Sequence, residues 1–429
     1  MPNIVRFLWN VRRLLALNVL LLLTGLLSGL ALAQVGAASW PIAHYDNGRT
    51  SFNNNELFLG PSNVGNLAEV WTFPACLLAV DPPAIANGVA YVTADCQVGG
   101  NTFSLTLYAV NARTGALRWQ YPLGVSHLDC QGSFPPAVSN GVVYTGSCYG
   151  MYALNASNGT PLWSNAAVGP VISNPLYANG AAVANGMVFF TASDGNVYAL
   201  NASNGTVDWE FSNPYGTAGS PAVANGIVYV ASIYGIVYAL DPATGTVLWM
   251  SARIPSTEIG GPPSSANGVV YISGLFGGIT ALDANTGAIL WNNLSSVNVE
   301  GTPGVAYGMV YVAIEDEDNG PRNAYALDAS TGVVVWNVPN IGDWFSVAIA
   351  NGVIYAVNDG DKNIYALDAM TGAMLGKFGG GNVNSSPVVA NGMVYFTGFD
   401  GSLHAYSVGG AGDYCLGVIG PASLSASRQ

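Results

Sequence analysis

Asp283-Ala284-Asn285-Thr286-Gly287-Ala288-Ile289-Leu290-Trp291 reads as a tight turn followed by a strand, and the chain repeats it. The Asp283 carboxylate can accept from the backbone N–H groups of its own turn. Gly287 can take the positive φ that such a turn needs. Trp291 can pack on a neighbouring unit while its indole N–H finds an acceptor. The Asx position recurs at Asn111, Asn155, Asn201, Asp241, Asp328 and Asp368, and the glycine at Gly115, Gly159, Gly205, Gly245, Gly332 and Gly372. Tryptophan closes the units at Trp71, Trp119, Trp163, Trp209, Trp249 and Trp336, while Gly376 holds the equivalent place in the seventh copy.

Upstream of each turn runs a segment of the form G-x-hydrophobic-Tyr-Ala-Leu. Before that stands a second two-residue turn at Asn87-Gly88, Asn140-Gly141, Asn185-Gly186, Asn225-Gly226, Asn267-Gly268, Tyr307-Gly308, Asn351-Gly352 and Asn391-Gly392. These eight turns are roughly 40 to 45 residues apart, after one first interval of 53. Four short apolar runs per unit, rich in β-branched residues and Tyr, make four strands, A to D. A period of this length in such strands is that of a propeller blade. The last copy holds strands at Ser385–Val389, Met393–Thr397 and Leu403–Ser407 and lacks a fourth, while an orphan D strand, Leu67 to Phe73, precedes the first copy. The expectation is an all-β, eight-bladed β-propeller of four-stranded blades, closed by the N-terminal strand, which removes the open sheet ends.

Composition agrees. Charged residues are 8% of the 429, 54 are glycine, and lysine occurs only as Lys362 and Lys377. The net charge of −13 leaves no basic footprint for nucleic acid. Arg6, Arg12 and Arg13 precede an apolar run from Leu14 to Leu30, and Ala31-Leu32-Ala33 has the form of a signal-peptidase site. The same run approaches membrane-spanning length, so an uncleaved anchor stays open. Cleavage before Gln34 takes the charge to −16. The expected divisions are a signal peptide at 1–33, an N-terminal extension at 34–66, the propeller at 67–408 and a tail at 409–429. The expected location is secreted, periplasmic or cell-surface.

The D-A-x-T-G-x-x-x-W turn resembles the tryptophan-docking repeat of pyrroloquinoline-quinone (PQQ) type propellers, over roughly Trp40 to Ser407. Trp40-Pro41-Ile42-Ala43-His44-Tyr45-Asp46-Asn47-Gly48-Arg49-Thr50 and Asn63-Val64-Gly65-Asn66-Leu67 resemble the N-terminal segment of secreted quinoprotein dehydrogenases. The repeat is also similar to that of an outer-membrane protein assembly propeller. The enzyme resemblance implies PQQ, a Ca²⁺ held by carboxylates and amides, and an Asp base. It further implies two adjacent cysteines, which this sequence lacks, and no C-x-x-C-H haem motif is present.

A–B and C–D turns share one face of a propeller, and B–C and D–A connections share the other. The latter vary here in length and chemistry, which points to the B–C/D–A face for an unknown small molecule or protein. Cys76 and Cys130 fall in successive D–A connections, and Cys96 and Cys148 in the matching B–C loops, which predicts disulfides Cys76–Cys96 and Cys130–Cys148 and leaves Cys415 over. The three His are widely separated, against zinc. Glu315, Asp316, Glu317 and Asp318 in one B–C loop, with Asp359 and Asp361 in the next, form a candidate Ca²⁺ edge. A solvated acidic surface is the plainer reading of the same six residues. The first expected function is a ligand- or protein-binding scaffold without chemistry. The alternatives are a PQQ- and Ca²⁺-dependent alcohol or polyol dehydrogenase and an outer-membrane assembly propeller.

Overall fold

The computed structural model describes residues 39–409, except 77–80, 101, 128–133, 170–179, 257, 315–321, 343–344 and 359. They form eight sheets, each with four antiparallel strands in blade order, two of which gain a short fifth strand, Glu258–Ile259 in blade 5 and Phe52–Asn53, parallel to Ala348–Ala350, in blade 7; a single 3-10 turn lies at Val64–Asn66. Blade 5 shows the pattern: A at Ser264–Ala266, B at Val269–Leu275, C at Gly278–Asp283 and D at Ile289–Asn293. Blade 8 takes its A, B and C strands from Val388–Ala390, Met393–Thr397 and Ser402–Val408, and its D strand from Leu67–Pro74. Trp71 stands opposite Ala405 in that pairing, so the N-terminal strand closes the ring. His404 reinforces the seam: its Nδ1 lies 2.7 Å from Glu69 Oε1 of the closing strand. The last A strand begins later than the Ser385 expected from sequence, because Pro387 has no N–H for the ladder.

The repeated turn does what its residues predict. Asp283 Oδ1 accepts from the N–H groups of Asn285 and Thr286, and Gly287 has φ +71°. The glycine has a second job. A Cβ on Gly287 would stand 2.5 Å from Cε3 of Trp249, so the indole of each blade docks on the turn of the next. That indole donates to a carbonyl in the same turn: Trp249 Nε1 to Ala284 O at 3.0 Å, and Trp71 Nε1 to Ala112 O at 3.2 Å. A strand-B tyrosine shares the acceptor, as Tyr229 Oη to Ala284 O at 3.1 Å, with its ring 6.0 Å from the indole. Each Tyr–Trp pair adds about 0.5–1.5 kcal/mol beyond the area it buries. Blade 3 carries Phe189 in place of the tyrosine and keeps the ring contact with Trp209.

Blade 7 departs from the pattern. Gly376 replaces the tryptophan because the chain's own N-terminal segment lies there: a Cβ on Gly376 would be 2.9 Å from Gly65 Cα. Blade 8 has no D-A-x-T-G turn to offer an acceptor, and Tyr355 Oη, buried in blade 7, is left without a hydrogen-bond partner.

Candidate functional site

Residues 40 to 53 run once around the propeller axis and bond the middle residue of every A strand in order. Trp40 exchanges two 2.7 Å bonds with Ile85 of blade 1, and Pro41 O accepts from Val138 N of blade 2. The Asn47 amide clamps Val183 of blade 3 from both sides, while its backbone O accepts from Val223 N of blade 4. Gly48, Thr50 and Ser51 carbonyls accept from Ser265, Val305 and Ile349 of blades 5, 6 and 7. Asn53 Nδ2 reaches Val389 O of blade 8 at 2.7 Å. Inner strands have one ladder edge facing the axis, and this segment satisfies it.

The segment carries two of the molecule's buried titratable side chains, His44 and Arg49. Arg49 has no exposed surface, and its guanidinium donates to Pro221 O at 2.7 Å, Gly180 O at 2.6 Å and Ala43 O at 3.4 Å. Burial lowers its pKa to about 9, against the opposing pull of Asp46, so it stays charged at neutral pH. His44 is buried beside Thr302, its Nε2 3.2 Å from Oγ1. Burial, and then the Arg49 charge, lower its pKa to about 3 and keep it neutral. A relay of hydroxyls continues around the inner wall: Ser346 Oγ accepts from Thr302 N, and Ser386 Oγ from Ser346 N. Glu56 is buried and accepts three backbone N–H groups, from Phe58, Leu59 and Gly392, locking the segment to the A–B turn of blade 8.

The B–C/D–A face is aromatic where the structure describes it. Tyr149, Tyr234, Phe276 and Phe399 stand at the B–C turns of blades 2, 4, 5 and 8, each roughly half exposed. Tyr215, in the D–A connection to blade 4, packs edge-on against Tyr234 with ring centres 6.1 Å apart. Tyr149 is oriented by a 2.6 Å bond from its hydroxyl to Val125 O, and Lys362 Nζ lies 5.3 Å from the Phe399 ring centre.

Of the candidate Ca²⁺ ligands, Glu315, Asp316, Glu317, Asp318 and Asp359 lie outside the described residues. Asp361 is bound by Lys377 Nζ at 2.6 Å and Tyr365 Oη at 2.8 Å. Burial alone would raise its pKa; bonds from Lys377, Tyr365 and Asn363 outweigh that and lower it. A cation of the protein therefore already neutralises this carboxylate. Cys76 and Cys96 are free thiols in the structure, brought within hydrogen-bonding contact. The two positions that the sequence pairs therefore lie side by side. Cys148 is disulfide-bonded, and Cys130 and Cys415 lie outside the described residues.

A family model described as outer membrane protein assembly factor BamB matches residues 104–259 and 234–408, most of the chain. The chain belongs to the BamB family. Solved structures agree with the fold. BamB from Moraxella catarrhalis superposes at TM-score 0.60 with 18% identity, over 80% of this chain and 97% of that one. Quinohemoprotein alcohol dehydrogenase from Comamonas testosteroni superposes at TM-score 0.69 with 17% identity, over 88% and 82%. The computationally designed Ika8 protein gives 0.62 and 16%, over 79% and 99%. No curated protein matches the sequence. In this BamB-family propeller, sequence reasoning missed the circuit of residues 40 to 53. The available signal was His44, Asp46, Arg49 and Glu56 crowded into thirteen residues of a charge-poor chain.

Proposed function

We propose that this BamB-family propeller acts outside the cytoplasm as a rigid scaffold that holds a protein partner on its B–C/D–A face. The observation that carries the reading is the set of half-exposed rings, Tyr149, Tyr234, Phe276 and Phe399, presented at equivalent turns of four blades. Aromatic residues on rigid supports supply large contact area at small entropic cost, which is why they anchor protein interfaces. The family match to an outer membrane protein assembly factor supports a partner in envelope assembly. Glu315, Asp316, Glu317, Asp318 and Asp359 remain, in this reading, candidate partners for a basic group or a cation, whereas Asp361 is already held by Lys377.

A PQQ-dependent dehydrogenase fits less well. The cofactor is a tricarboxylate and needs cations to hold it. Arg49, the cation described on the axis, spends its donors on three carbonyl oxygens and has no exposed surface. Two measurements separate the readings. A photocrosslinker at Tyr234 or Phe276 should capture a discrete envelope protein, whereas one at Leu248 on the outer D strand should not. Equal capture at both positions overturns the scaffold face. Saturable PQQ absorbance with Ca²⁺-dependent, dye-linked alcohol oxidation would establish the enzyme instead.

A further inference from the structure

At the A–B end of the axis, opposite the proposed partner face, a cavity of about 260 Å³ opens between the N-terminal segment and blades 2 and 3. Its walls include Pro41, Ile42, Val138 and Val183, with Tyr45 and Asp46 supplying an aromatic ring and a carboxylate. The walls are held before any ligand arrives. Pro41 O is bonded by Val138 N, and the Asn47 amide is clamped on Val183. Trp40 braces Tyr45 edge-on, with ring centres 5.4 Å apart.

Asp46 is the charged residue of this lining. Thr50 N donates to Oδ1 at 2.9 Å and Thr50 Oγ1 to Oδ2 at 2.7 Å, which fixes the carboxylate and leaves each oxygen a second lone pair. No described cation forms an ion pair with it. The nearby Arg49 guanidinium turns instead to the carbonyls of Pro221, Gly180 and Ala43. Burial raises the Asp46 pKa, against the bonds from Thr50, the Arg49 charge and the Arg49 backbone N–H, which lower it. A half-buried, oriented anion beside apolar walls and a π-face is complementary to a cation with hydrocarbon attached. A bare divalent ion would want six or more oxygen ligands, whereas Pro41, Ile42, Val138 and Val183 contribute hydrocarbon to these walls.

We propose that this cavity binds a small organic ammonium, with the charged nitrogen on Asp46 and the apolar body against Ile42, Val138 and Val183. The site is independent of the partner face and stands or falls separately from it.

The probe is n-butylammonium, titrated into the purified chain by calorimetry and by ligand-observed NMR at pH 7, with butan-1-ol as the neutral control. Wild-type protein should bind the amine saturably and the alcohol at least about tenfold more weakly. Asp46→Asn, which keeps an acceptor for Thr50, should weaken amine binding at least about tenfold. Asp208→Asn, an exposed carboxylate on the D strand Val207–Phe211 of blade 3, should leave it unchanged. Ser139→Trp fills the cavity without changing charge and should abolish binding, which preserves the test if Asp46→Asn fails to fold. Absence of saturable binding, equal losses in the Asp46 and Asp208 variants, or binding that survives Ser139→Trp overturns the proposal.

Discussion

Gly376 and Gly65 face each other across the last seam of the ring, so closely that a Cβ on Gly376 would stand 2.9 Å from the other's Cα and 3.2 Å from Val64 O. In the earlier blades that seat belongs to a tryptophan. Gly376→Ala should therefore destabilise the protein by about 1–3 kcal/mol, because backbone cannot yield as a flexible side chain would. Gly376→Trp, which restores the repeat consensus, should do worse. Urea midpoints of the two variants check this, and a stabilised Gly376→Trp would contradict it.

Two buried tyrosines should answer differently to the loss of their hydroxyl. Tyr311 Oη donates to Ala369 O at 3.1 Å, whereas Tyr355 Oη is unpartnered. Tyr311→Phe should cost about 1 kcal/mol, and Tyr355→Phe should be neutral or stabilising by about as much. Denaturant titration of both variants gives the comparison, and equal losses would count against the seam described here.

Stability should fall with acid in a way that His44 controls. The folded protein refuses a proton on His44 until pH is about 3, while the unfolded chain accepts it near the ordinary histidine value of 6.5. The contribution is complete above pH 6.5 and declines as pH drops toward 3, by about 1.4 kcal/mol per pH unit. His44→Gln should flatten that slope between pH 6 and pH 4 relative to wild type. Parallel urea curves at several pH values test it; the same slope in both proteins would remove His44 from the account.

Cys76 and Cys96 should form a disulfide in an oxidising compartment. Burial, then the bond to Cys76, push the Cys96 thiol up to about 12, so Cys96 is a poor thiolate while its side chain is already in contact with Cys76. Non-reducing peptide maps of protein from the envelope should show the link. Oxidation should stabilise wild type by about 3 kcal/mol for a loop of this length and leave Cys76→Ser unchanged. Two carbamidomethylated cysteines in the envelope-derived protein would refute it.

Most of the fold is legible in the sequence because the repeat writes its own geometry. Asp283, Gly287 and Trp291 each have a local reason to be where they are, and the missing eighth D strand points to Leu67–Pro74. The site is harder to read for the same reason. Trp40 to Asn53 bonds its partners mainly through backbone atoms, and backbone leaves no residue code. Asp361 looks like an open metal ligand in sequence, since nothing local says that Lys377, sixteen positions on, lies 2.6 Å away across the blade. The half-exposed rings at Tyr149, Tyr234, Phe276 and Phe399 are ordinary loop residues until the turns are set side by side.

The axial circuit also bears on synthesis at the ribosome. Trp40 to Asn53 is made before every blade it touches, yet the acceptor for Asn53 lies 336 residues later, at Val389. Repeat arrays ordinarily gain stability one neighbour at a time as the chain lengthens. Here the first-made segment gains partners blade by blade, and its last bond, from Asn53, waits until the last-made blade exists. Long-range closure of this kind slows folding and makes it collective. A truncated product lacking blade 8 would then be a chain of blades without its hub, open to proteolysis along its whole length.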